Sequence, residues 1–151
     1  MFRRYYPTVV GIAIVWHILC AAALYIEPAA INATALYTML IVVRDITGSV
    51  DLHLSAFVFA AVALLAFVGM FVSDPYWRIG LIIWQHIILW VSATGALHAM
   101  YIGQFADGVT RPRGFLIVDQ SPVVLIALAH AVAICIIASE GRPVNDRKER
   151  A

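Results

Sequence analysis

Polar residues in this chain collect in short clusters, and long apolar runs separate the clusters. Four runs are long enough to cross a membrane as helices: 8–26, 52–72, about 79–101, and 122–138. A spanning helix needs about 20 mostly apolar residues, within a range of about 17–25. The polar clusters carry boundary signals. Glu27-Pro28 closes the first run, because proline disfavours a helical residue before it. Asp51 is placed to cap the second. "SDPYWR" before the third reads as a turn followed by an aromatic pair suited to the headgroup level. Ser121-Pro122 reads as the start of the fourth, with proline at the first helical position.

The expected fold is therefore an all-α integral membrane protein, a bundle of four transmembrane helices over residues 1–138. A polar tail, "SEGRPVNDRKERA", follows at 139–151. Composition agrees. The chain is 63% hydrophobic and 13% charged, whereas soluble domains are about 45–50% apolar and about 25% charged.

Charge placement sets the threading. Segment 29–43, "AAINATALYTMLIVV", extends only about 22 Å as a helix, short of the roughly 30 Å hydrocarbon core. With four spans, the inner side holds Arg3, Arg4, Arg78, Arg142, Arg147, Lys148 and Arg150, and the outer side holds Arg44, Arg111 and Arg113. A fifth span at 29–43 would abolish that asymmetry. The cytoplasmic excess of Lys and Arg favours four spans with both ends inside. Segment 29–43 is then expected to lie on the outer face or re-enter it, and the tail to be cytoplasmic. The first run mimics a secretory signal, with Arg3-Arg4 ahead of it and Ala21-x-Ala23 within it. It stays apolar beyond Ala23, which favours a retained span. Cys20 and Cys135 fall at different depths and are expected to be free thiols, since a disulfide needs α-carbons within about 7 Å.

All five histidines lie in the four runs. Ionisable groups there are costly and usually face the bundle interior or a cavity. At about 1.5 Å per residue from the inner boundary, His17 lies about 13 Å deep, His86 about 10 Å and His130 about 12 Å. These three, from three helices, share an inner level. His53 and His98 form an outer pair within about 5 Å of the other boundary. Two imidazoles from different helices at one depth can ligate haem b, and three can hold a transition metal. The helix count and histidine placement resemble those of small membrane cytochromes b. His86 and His98 stand about 120° apart around an ideal helix, which argues against two haems stacked along one face. The competing reading is that each histidine bonds a neighbouring helix. Such bonds are worth about 0.6 kcal/mol on average. Gln85 adds a further buried hydrogen-bonding group beside His86.

Gly95, Ala99 and Gly103 form a small-residue stripe that lets another helix approach closely. In the connection 104–121, Asp107-Gly108 signals a turn, and "FLIV" at 115–118 reads as a short strand. Arg111 and Arg113 there are candidates for lipid phosphate or for pairing with Asp107 and Asp119. The chain shows no phosphate loop, HExxH, CxxC or GxSxG signature and no paired deep carboxylates.

The first expectation is a small non-enzymatic, multi-pass accessory or self-associating protein without a bound cofactor. It is expected in a bacterial inner membrane. In size, helix count and charged tail it is similar in gross form to multi-span phage holins. The alternative is a haem- or metal-binding electron-transfer subunit. Expected partners are the lipid bilayer and either further copies or a larger membrane complex. No basic block suggests nucleic acid.

Overall fold

The computed structural model describes residues 6–26, 51–102 and 113–140. Within them the chain forms four helices: α1 (Tyr6–Ile26), α2 (Leu52–Phe71), α3 (Pro75–Ile102) and α4 (Arg113–Glu140). All four are long and apolar enough to cross a membrane. In lipid a spanning segment must satisfy its backbone internally, and a helix does so. Segment 29–43 and the tail beyond Glu140 lie outside the described residues.

Local chemistry fixes the helix starts. Asp51 accepts from the backbone N–H of His53 at 2.9 Å and of Leu54 at 3.1 Å, so it caps α2 as the sequence suggests. Asp74 does the same for α3, accepting from Tyr76 and Trp77 at 2.9 and 3.0 Å. Pro75 follows in the first helical position, where it loses no bond. The third helix thus begins four residues earlier than the apolar run implies, and the exposed Tyr76 and Trp77 ride on its first turn.

The fourth helix departs further from expectation. It starts at Arg113, so "FLIV" is helical rather than a strand, and Pro122 stands inside the helix rather than at its start. A short apolar run cannot by itself distinguish the two states. Pro122 has no N–H for the Val118 carbonyl. The Ser121 hydroxyl stands 3.5 Å from that oxygen instead. Pro122 itself is exposed, on the outside of the bundle.

Packing gives an up-down-up-down order. Val10, Ile14, Ala63, Ala66, Ile82, Ala133 and Ile137 form one cluster drawn from all four helices. It joins the start of α1, the end of α2, the start of α3 and the end of α4. At the opposite end, Ala21 and Leu24 of α1 meet Ala56 and Phe59 of α2. Only residues 72–74 separate α2 from α3, which sets that pair antiparallel. Helices α2 and α3 approach closely at Gly69, where an added Cβ would stand 3.1 Å from Leu81 Cβ and 3.0 Å from Ile82 Cγ1.

Each helix buries one stripe, its positions mostly three or four residues apart. In α3 it runs through Ile82, Gln85, Leu89, Ser92 and Ala96; in α4, through Gln120, Val123, Ala127, His130, Ala133 and Ile137. That spacing is the seam of left-handed helix packing. Outside the seam, large apolar side chains face outward, including Leu19, Phe57, Leu64, Trp84 and Leu125. In water so much exposed apolar surface would drive association. In a bilayer it is the surface that lipid covers. The protein is a multi-pass integral membrane protein.

Candidate functional site

Among the described residues five polar side chains are buried: His17, Gln85, Ser92, Gln120 and His130. All five lie on the buried stripes of α1, α3 and α4. The seam that lipid cannot reach is therefore also where the chain keeps its polar groups.

The centre of this interior joins α3 to α4. His130 Nε2 lies 2.7 Å from Gln85 Oε1, and His130 Nδ1 lies 3.3 Å from His86 Nδ1. The His86 and His130 ring centres are 5.4 Å apart, with planes only 18° from parallel. An imidazole's atoms stand about 1.15 Å from its centre, given ring bonds of about 1.35 Å. Centre spacing and nitrogen spacing then agree only if the rings meet nearly head to head, edge on edge. Each ring aims its Nδ1 at the other.

This geometry assigns protons. With Gln85 Oε1 as acceptor, His130 Nε2 is the donor, which leaves His130 Nδ1 as an acceptor in the neutral ring. His86 Nδ1 then donates to it, and His86 Nε2 carries a lone pair. His86 is only partly buried, and Trp90 stands edge-on to it at 6.1 Å.

His17 belongs to the same region without joining that set. Its Nδ1 donates to the Ala13 carbonyl at 2.8 Å, one turn back in its own helix. Its Nε2 is buried with no hydrogen-bond partner, as is Gln85 Nε2. Trp16 stands edge-on to the His17 ring at 5.0 Å, and Phe59 of α2 packs beside it at 5.5 Å. Ala13 shares a packing cluster with Leu89 and Ala127. Ile14, Ile82 and Ala133 share another cluster, and His17, Gln85 and His130 each lie three residues from these towards the same end, so His17 stands level with the α3–α4 pair.

Of the three inner-level histidines, then, the structure joins two and holds the third alongside. Among the described residues no three His, Cys, Asp or Glu side chains form a group suited to a metal ion. The outer histidines are both exposed. His53 meets Tyr25 of α1 edge-on at 5.6 Å, and His98 lies near the end of α3. Gly95 is buried within the chain, so its part of the small-residue stripe serves packing inside the bundle. Ala99 lies on α3, though its side chain is outside the described residues, as are Gly103, Arg111 and the side chain of Arg113. Cys20 and Cys135 are free thiols.

Two features are not anticipated by the sequence reading. Gln120 is buried, and its signal is its place on the three- and four-residue seam through Ala127 and His130. At the other end, Arg78 donates to Tyr6 Oη at 3.0 Å and to the Val72 carbonyl at 2.9 Å, with its guanidinium 5.7 Å from the Tyr6 ring centre. It ties the start of α1 to the α2–α3 turn. No protein-family model, curated protein or solved structure matches the chain.

Proposed function

We propose that this chain is a small non-enzymatic accessory protein of a membrane, with its deep histidines serving to lock the bundle. The observation that carries this reading is the head-on contact of His86 with His130, continued to Gln85. Polar groups committed to one another across two helices act as a fastening. The excess of Lys and Arg at the side holding both ends supports an N-in, C-in threading, and the form resembling multi-span holins fits a bacterial inner membrane. Self-association draws no support from Gly95, whose surface is spent inside the chain.

A second reading, binding of a transition metal or haem b, rests on one observation: two ring nitrogens from different helices face each other at 3.3 Å. Ligands on opposite sides of one ion stand about 4 Å apart, twice the usual metal–nitrogen distance. A metal ion fits after a slight widening, with His86 and His130 holding it. A porphyrin between His86 and His130 would have to part α3 from α4, the most extensively packed pair of helices, which weighs against haem b.

An absorption spectrum and elemental analysis of the purified protein separate the readings. A spectrum without haem bands and less than stoichiometric metal is expected. Stoichiometric metal lost on His130→Ala would overturn the fastening role. For the holin-like form of the accessory role, expression in bacteria is expected to permeabilise the inner membrane, and harmless high expression would count against it.

A further inference from the structure

His17 Nε2 and Gln85 Nε2 are buried without partners, on residues with no exposed surface. Their chemistries are opposite. His17 donates through Nδ1 to Ala13, so its Nε2 offers a lone pair. Gln85 spends its oxygen on His130, so its amide nitrogen offers hydrogens. An acceptor and a donor stand at one level of the interior, each three residues beyond the shared cluster of Ile14, Ile82 and Ala133, with Trp16 and Phe59 against the His17 ring.

Buried polar groups in native proteins are almost always paired, and where protein does not pair them an enclosed molecule does. A cation would suit the lone pair but would be repelled by the Gln85 amide hydrogens. An anion would suit the amide and be repelled by the lone pair. A small neutral molecule that both accepts and donates satisfies both. We propose that the centre of the bundle, between His17, Gln85 and His130, is a binding site for one such protic molecule, water in the cell. It accepts from Gln85 Nε2 and donates to His17 Nε2.

The consequence is connectivity. With this ligand the polar set runs without a break from His17 on α1, through Gln85 and His130, to His86. That line joins three helices, where the direct bonds join only two. It also places exchangeable hydrogens at mid-membrane, next to imidazoles whose tautomers are already set.

The test uses the full chain, nitrogen-15 labelled, in lipid bilayers, with magnetisation transferred from water protons in solid-state NMR. Transfer to the His17 ring and the Gln85 side-chain amide is expected to be several-fold faster than to the backbone of Leu89 and Ala127, one turn away. His17→Phe is expected to reduce transfer to the Gln85 amide several-fold. Gln85→Met, scored at His17, gives the reciprocal loss and covers the case in which the first variant does not fold. Transfer at both side chains no faster than at Leu89 and Ala127 would overturn the proposal. So would a wild-type His17 nitrogen shifted by added Zn2+ with release of the water signal.

Discussion

The histidines at mid-depth and those near the membrane boundary are the same side chain in two solvents. His17 and His130 have no exposed surface, and His86 is partly covered. Each has a ring nitrogen committed to a hydrogen bond. His53 and His98 are exposed, and the ring contact of His53 is with an aromatic at the end of α1. At the boundary an imidazole reaches water and headgroups without help. In the middle it must be given partners, and the protein supplies them from α3 and α4 for His86 and His130 and from the backbone of α1 for His17. Depth therefore converts a tolerant position into one whose neighbours are specified.

The largest effect is expected where that specification is densest. His130→Ala removes the partner of Gln85 Oε1, the acceptor of His86 and a buried volume together. We expect a loss of about 2–4 kcal/mol, since a stranded polar group and a cavity both contribute. Chemical or thermal denaturation of the protein in detergent reads it. Replacing both partners removes the stranded group, so His130→Leu with Gln85→Leu should recover much of the loss relative to His130→Ala. If His130→Ala costs no more than His98→Ala, the contrast between the layers fails.

A smaller effect is expected at the end of the bundle where Arg78 holds Tyr6 and the Val72 carbonyl. Arg78→Met should cost about 1–2 kcal/mol, because these partners lie near the interface where water can replace the lost donor. Tyr6→Phe should cost less than Arg78→Met, leaving the bond to Val72 intact. Asp51→Ala, at the opposite end, removes the cap of α2 and should cost about 1 kcal/mol. The same denaturation measurement ranks all three.

The hydrophobic pattern made the four spans legible because lipid imposes length and apolarity on each of them. Asp51 was legible because its cap is local. The start of α4 was not. Pro122 carries a start signal that helical continuity through Arg113–Val118 overrides, with Ser121 beside the carbonyl that proline leaves without a donor. Counting residues from the boundary placed His86 and His130 at one depth, and they do meet. Counting gives height and not azimuth, however, so it could not tell that His86 and His130 face each other while His17 faces its own helix on one side. Gln120 was missed for a related reason. One polar residue near a helix start reads as interfacial, and only its register with Ala127, His130 and Ile137 turns it inward.

The smallest expected effect bears most directly on the comparison. His53→Phe keeps a ring opposite Tyr25 and discards the imidazole nitrogens. At a boundary position those nitrogens are solvated in both folded and unfolded states, so their removal changes little. His98→Leu should behave alike, as exposed substitutions usually stay within about 0.5 kcal/mol. The backbone N–H of His53, which Asp51 accepts, is untouched by either change. The measurement is the same denaturation midpoint, with both variants together in one chain to magnify any effect. A combined loss approaching that of His130→Ala would mean that His53 and His98 hold partners the bundle depends on. Depth alone would then no longer explain why the two layers differ.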